Sequence, residues 1–192
     1  MKEFFLGIIA SFGVQSIPCE ANGVTNIYDP VIQSAVNSYW NPVYQKYWCF
    51  YKSQLIVESG LRPDVRSPVG ARGLAQIMPA TWEEVTRKTG VKCHPYDAAC
   101  SISMGAFYMN ERIRGWSGMP RTDLCRLELA WASYNAGFGN IIKMQRVSGM
   151  KRCWDEIGPH APKVTGRHAQ EVQNYVTRIH GWARKLMGGE SR

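Results

Sequence analysis

The chain has 192 residues, 45% of them hydrophobic and 20% charged, which fits one globular domain with a substantial core and argues against a disordered chain or a collagen-like repeat. Its 23 Lys+Arg against 15 Asp+Glu give a net +8, and +6 of that lies after residue 140, where ten cations face Asp155, Glu156, Glu171 and Glu190. That bias points to a polyanionic partner, whether nucleic acid, anionic membrane or acidic cell-wall polymer, and no apolar run reaches the length of a membrane span.

Residues 4–14 form a largely apolar stretch between Lys2 and Pro18, the length and order of a secretory signal, although Glu3 offsets Lys2. Residues 1–21 are therefore set apart as a signal or marginal membrane-anchor segment, export being favoured over a merely apolar N-terminus, and residues 22–192 form the domain. Cys19, Cys49, Cys93, Cys100, Cys125 and Cys153 are even in number with no C-x-x-C pair, so extracytoplasmic disulfides are favoured over a zinc site or buried free thiols. Proximity pairs Cys93 with Cys100, then Cys125 with Cys153, and leaves Cys19 and Cys49.

Helix punctuation dominates the chain beyond residue 22. Asp29-Pro30 reads as an N-cap with proline at the first helical position, leading through Val31, Ala35 and Tyr39. A second run over 43–59 stops at Gly60 with Pro63 beyond, which puts Glu58 in the last turn of a mostly apolar helix. Residues 61–79 lose the helical period and carry several Pro and Gly, so a loop with at most a short hairpin is expected. Thr81 and Glu84 form a capping box for a helix closed at Gly90. Asp97 and Asp123 are N-cap candidates for helices over 98–115 and 124–136. The last helix, 168–187, carries Val172, Val176, Ile179, Ala183 and Leu186 at helical spacing and ends at Gly188-Gly189. Strands have almost no support, and the fold class is mainly α.

The chemistry is concentrated in Glu58-Ser59-Gly60-Leu61-Arg62-Pro63, Ser67-Pro68, Gly70-Ala71-Arg72-Gly73-Leu74-Ala75-Gln76 and Met78-Pro79-Ala80-Thr81-Trp82, followed by Ala132-Ser133-Tyr134-Asn135-Ala136-Gly137 and Glu171-Val172-Gln173-Asn174-Tyr175-Val176. These ordered motifs resemble the lytic transglycosylase domain of the soluble type, a goose-lysozyme-like helical fold that cleaves peptidoglycan. Val172 stands where Thr is common in the family and Ala75 where Met is frequent, and residues 1–42 lie outside the match. The resemblance implies that Glu58 is the catalytic acid and then the base. It further implies that Ser59, Ser67, Gln76, Met78, Tyr134, Asn135 and Tyr175 bind substrate, and that the muramic acid ring closes on its own 6-hydroxyl with no water entering. No cofactor or metal is implied.

The residues themselves carry part of this. Breaking a glycosidic bond needs a proton on the leaving oxygen, and a carboxylic acid keeps one near neutral pH only when burial raises its pKa. Glu58 follows Leu55-Ile56-Val57 at the negative end of its helix, and both features favour the protonated form. Asp64 is the nearest further carboxylate and lies in no catalytic motif. His94, His160, His168 and His180 lack metal-ligand spacing, and most tryptophans read as helical core. The competing readings are a hydrolytic muramidase of the goose-lysozyme kind and a non-catalytic glycan- or nucleic-acid-binding module. Nucleic acid is not the expected partner, because no recognition motif is present. The expected partners are peptidoglycan strands, with the basic C-terminal region meeting an anionic wall or membrane surface. The expected location is the periplasm or cell envelope, with a phage-encoded lysis enzyme the favoured origin.

Overall fold

The computed structural model describes residues 19–188. The apolar stretch 4–14, most of the 1–21 segment and Gly189 lie outside the described residues. Ten α-helices follow in order among the described residues: α1 Asp29–Tyr39, α2 Pro42–Gln45, α3 Trp48–Ser59, α4 Pro79–Thr89, α5 Ala98–Gly115, α6 Asp123–Ala136, α7 Phe138–Val147, α8 Trp154–Ile157, α9 Ala161–Thr165 and α10 Ala169–Leu186. The loop between α3 and α4 holds only the isolated antiparallel bridges Arg66–Arg72 and Arg72–Ile77, so the described domain is mainly α, within the expectation of at most a short hairpin there.

Helix α3 is the axis of the core. Cys49, Tyr51, Lys52, Ser53, Gln54, Leu55, Ile56, Val57 and Ser59 are all buried, because α1 and α10 pack along it. A helix enclosed on most sides needs no single apolar stripe, which is why its sequence reads as apolar without clear periodicity. Helix α10 is the opposite case. Val172, Val176, Ile179, Ala183 and Leu186 form the expected buried stripe, with Arg184 and Lys185 outside. Each large apolar side chain so buried contributes about 1.5–3 kcal/mol. Of the tryptophans, Trp40, Trp116, Trp131 and Trp154 are buried, and Trp131 stacks on Phe50 of α3 at 5.4 Å between ring centroids.

Several helix boundaries depart from expectation for local reasons. Asp29 lies inside α1 while Tyr28 occupies the N-cap; the Asp29 carboxylate is engaged instead by Lys52 at 2.7 Å. The expected 43–59 run breaks at Lys46-Tyr47 into α2 and α3, with Asn41 capping the first piece. Pro79 opens α4 two residues before the expected capping box. Thr122, not Asp123, caps α6 by accepting from the Cys125 amide at 3.2 Å. Asp97 caps α5 as expected, accepting from the Cys100 amide at 2.7 Å. The helices α7, α8 and α9 had no distinct sequence signal, being short or broken by glycine and proline.

All three cysteine pairs are disulfides: Cys19–Cys49, Cys93–Cys100 and Cys125–Cys153. The first fastens the chain ahead of α1 to α3, helped by Lys52 Nζ, which donates to the Cys19 carbonyl at 3.2 Å and to Asn26 Oδ1 at 2.7 Å. Fully buried Lys52 thereby has a carboxylate and two further acceptors around its Nζ. The Glu20 amide also donates to the Leu186 carbonyl at 2.8 Å, so residues 19–20 bridge α3 and α10.

Peptide mapping of the oxidised protein without reduction is expected to recover these three links. Cys19→Ser is expected to lower unfolding free energy by about 2–4 kcal/mol, read as an earlier urea midpoint with unchanged helical circular dichroism. An unchanged midpoint would show that the strap ahead of α1 adds nothing to the fold.

Candidate active site

Glu58 occupies the last turn of α3, which stops at Gly60 in the left-handed region (φ 64°). The loop beyond Gly60 folds against it by main-chain bonds. Ser67 Oγ accepts from the Ala71 amide at 2.9 Å, and Gln76, itself at φ 47°, donates from Nε2 to the carbonyls of Gly73 at 2.8 Å and Val65 at 3.1 Å. Gly73 is required here because a Cβ would stand 1.9 Å from the Pro95 carbonyl oxygen. Tyr134, from α6, donates its hydroxyl to the Ala75 carbonyl at 2.7 Å and meets Tyr108 edge-on, tying the loop to α5 and α6.

Across from α3, α10 presents Tyr175, whose hydroxyl donates to Glu58 Oε1. Gln54, buried one turn earlier on α3, lies beside the same hydroxyl. Val57, Glu58, Asn135, Glu171, Asn174, Tyr175 and Arg178 line an open cleft of about 330 Å³. A larger hollow of about 670 Å³, between residues 20–23 and Lys185, holds none of the motif residues and opens beside Gly188, where the described chain ends; the smaller cleft is the one with chemistry.

Burial pushes the Glu58 carboxyl from 4.5 up to about 8, against the opposing pull of the Tyr175 hydrogen bond and the Arg178 cation. Its edge remains partly exposed toward the cleft. The acid therefore holds its proton at neutral pH and still faces a space a ligand can enter. Burial, with the Glu58 carboxylate adding to it, also drives the Tyr175 and Tyr134 hydroxyls well above 10, so both stay neutral donors.

The remaining residues singled out in the sequence are distributed unequally. Asn135 reaches the cleft with Glu58 and Tyr175. Met78 is 42% exposed just ahead of α4 and so is not core, but it is not among the residues that line the cleft with Glu58. Ser59 is buried, with its hydroxyl donating to the Leu55 carbonyl at 3.2 Å, so it faces away from the cleft. The Ser67 and Gln76 polar groups shape the loop rather than project free. Asp64 sits exposed in a turn. Arg178 was not singled out from the sequence, and Glu171 and Asn174 were quoted only as parts of a motif. Their signal was helical spacing, since 171, 174, 175 and 178 share one face of α10.

With this geometry in view, the comparisons with known proteins identify the family. A profile of the transglycosylase SLT domain matches residues 53–157, more than half of the chain. The chain belongs to the transglycosylase SLT domain family. It is 27% identical over 171 residues to the membrane-bound lytic murein transglycosylase F of Aliivibrio fischeri, covering 79% of this chain and 33% of that protein. The corresponding protein of Pasteurella multocida is 26% identical over 152 residues, covering 74% of this chain and 29% of the relative. The chain thus spans about a third of the length of these curated relatives.

Among solved structures, a 70 kDa soluble lytic transglycosylase from Escherichia coli superposes with a TM-score of 0.67 at 20% identity, covering 86% of this chain and 25% of that one. An inactive Glu→Gln variant of the lytic transglycosylase Slt from Pseudomonas aeruginosa gives 0.56 at 23% identity, covering 85% and 29%. Both likenesses establish the fold. Tyr175 and Arg178 lie beyond the profile match, and it is the packing of α10 on α3 that brings them to Glu58.

The proton on Glu58 has a measurable consequence. Between pH 4.5 and about 8 the folded protein holds a proton that an unfolded chain releases, so this group's contribution to stability falls as pH rises through that window. Urea unfolding at about pH 5 and about pH 8 is expected to show a steeper loss for the wild type than for Glu58→Gln, which is relatively more stable at the higher pH. Parallel pH dependences would mean that Glu58 ionises like an ordinary carboxyl.

Proposed function

We propose that this chain is a peptidoglycan lytic transglycosylase that cleaves the β-1,4 bond between N-acetylmuramic acid and N-acetylglucosamine. Glu58 donates its proton to the leaving oxygen. The muramic acid N-acetyl group assists departure, and the resulting Glu58 carboxylate takes the proton of the muramic acid 6-hydroxyl as that oxygen closes onto C1. Bond cleavage, proton return and formation of a 1,6-anhydro end balance with no water consumed.

The observation that carries the reading is one acid kept protonated to about 8 by burial at the edge of an open cleft. Its surroundings also suit the second step. Once the proton has left, the Tyr175 hydroxyl and the Arg178 cation both stabilise the carboxylate, so the same group is ready to act as base. Tyr134 holds the facing loop, and Asn135 offers an amide suited to the N-acetyl and hydroxyl groups of a sugar. The Glu→Gln variant of the Pseudomonas aeruginosa transglycosylase is inactive, and the curated relatives are named murein transglycosylases; both agree with this assignment.

A hydrolytic route has one observation in its favour, the presence of Glu171 on the same cleft. That side chain is 65% exposed and 3.4 Å from His168, an environment that leaves it solvated. The envelope is the proposed location, supported by the three disulfides. Exposed Lys163, Arg167, Arg184 and Lys185 suit an anionic wall or membrane surface.

Glu58→Gln is expected to fold and to lose at least about a hundredfold of wall-clearing activity, since an amide fills the space without donating the proton. Wild-type products are expected to end in 1,6-anhydro-N-acetylmuramic acid, which mass analysis finds one water lighter than a hydrolysed end and resistant to borohydride. Reducing ends carrying oxygen from heavy-oxygen water as the main product would assign hydrolysis, with Glu171 as the base to test. Binding to whole cell walls is expected to weaken with added salt more than binding to an uncharged chitooligosaccharide. Equal salt sensitivity would make the basic surface incidental.

A further inference from the structure

Arg178 has a position that the acid–base chemistry alone does not explain. It lies on α10 one turn beyond Tyr175 and lines the same cleft as Glu58. Its side chain is exposed and, among the described residues, has no ion pair or hydrogen bond. Exposed Lys163 and Arg184 are likewise without a partner among the described residues, but Arg178 is the one of these that lines the cleft with Glu58. Several other cations are engaged. Lys52 pairs with Asp29, Lys88 with Glu84 and Glu111, and Lys151 with Glu156, while Arg126 donates to Tyr44 and Arg112 lies over the Tyr108 ring. A free cation beside Glu58 also opposes the protonation that the first step needs. That cost to the protonated state is offset when Glu58 ionises for the second step, and it is offset before that step only if the cleft receives an anion.

The face of α10 is dipolar along the cleft. Glu171 stands seven residues before Arg178, about 10 Å along the helix, with Asn174 and Tyr175 between them. An acidic ligand group is repelled at the Glu171 end and attracted at the Arg178 end, so the pair orients what binds. We propose that Arg178 reads a carboxylate of the strand next to the bond that is cleaved. This assignment rests on the glycan-cleaving reading above and deepens it. Muramic acid offers that carboxylate in one of two forms, its own lactyl group where no peptide is attached or an acidic residue of the attached peptide. Guanidinium recognises either by paired N–H···O bonds.

The test is binding, measured by calorimetric titration in the Glu58→Gln protein so that no ligand is consumed. Three ligands are compared: amidase-stripped strands with free lactyl carboxylates, the same strands with those carboxylates converted to methylamides, and peptide-bearing strands. Adding Arg178→Gln is expected to weaken binding of at least one carboxylate-bearing ligand about tenfold, with less than about a twofold change for the methylamide strands, and Arg178→Lys is expected to recover part of the loss. Loss on the stripped strands assigns the lactyl carboxylate, and loss confined to the peptide-bearing strands assigns the peptide. Equal weakening of all three ligands, or no weakening of either carboxylate ligand, overturns the proposal. Wild-type protein that forms neither anhydro nor new reducing ends, while the binding difference persists, would sink the cleavage reading and leave Arg178 as the anion contact of a glycan binder.

Discussion

The contact between the Tyr175 hydroxyl and the Glu58 carboxyl is the point on which the rest of the structure turns. It joins the end of the most enclosed helix to the helix that closes the chain around it. It also places an ionisable group where burial disfavours charge but a ligand can still reach it. Everything nearby serves one or other requirement. The apolar residues Leu55, Ile56 and Val57 remove solvent, Gly60 ends α3 so that the side chain is not covered by a further turn, and α10 supplies the donor.

Helix α3 carries one lysine and one glutamate, and the two receive opposite treatment. Lys52 is fully buried yet surrounded by Asp29, Asn26 and the Cys19 carbonyl, so its charge is matched. Glu58, six residues on, has one hydroxyl and a cation across the cleft, which lessen the burial penalty without cancelling it. The difference lies in the partners each receives. A matched charge holds elements together, whereas an unmatched acid stores a proton for delivery.

The loop between α3 and α4 has a different task. Ser67 and Gln76, which look like ligand-binding groups in a motif, make main-chain bonds inside the loop, and Tyr134 fastens it from outside. Such bonds fix the shape of the loop that follows the helix carrying Glu58. Side chains left free to meet a ligand come instead from Asn135 and from the exposed face of α10.

Local pattern was enough for the α-class, for the stop of α3 at Gly60, for both ends of α5, for the buried stripe of α10 and for Glu58 at a helix terminus, because caps, stop signals and helical periodicity act over a few residues. The ordered motifs likewise marked Asn135 and Tyr175 as belonging with Glu58. Sequence could not decide that Asp29 would leave its capping role to meet Lys52, that Ser59 would turn back into its own helix, or that Asn174 and Arg178 would share a cleft with an acid more than a hundred residues earlier. Those outcomes depend on which surfaces are brought together when α10 packs on α3. A side chain's partners, its solvent and therefore its charge are properties of that juxtaposition, which no short stretch of chain contains.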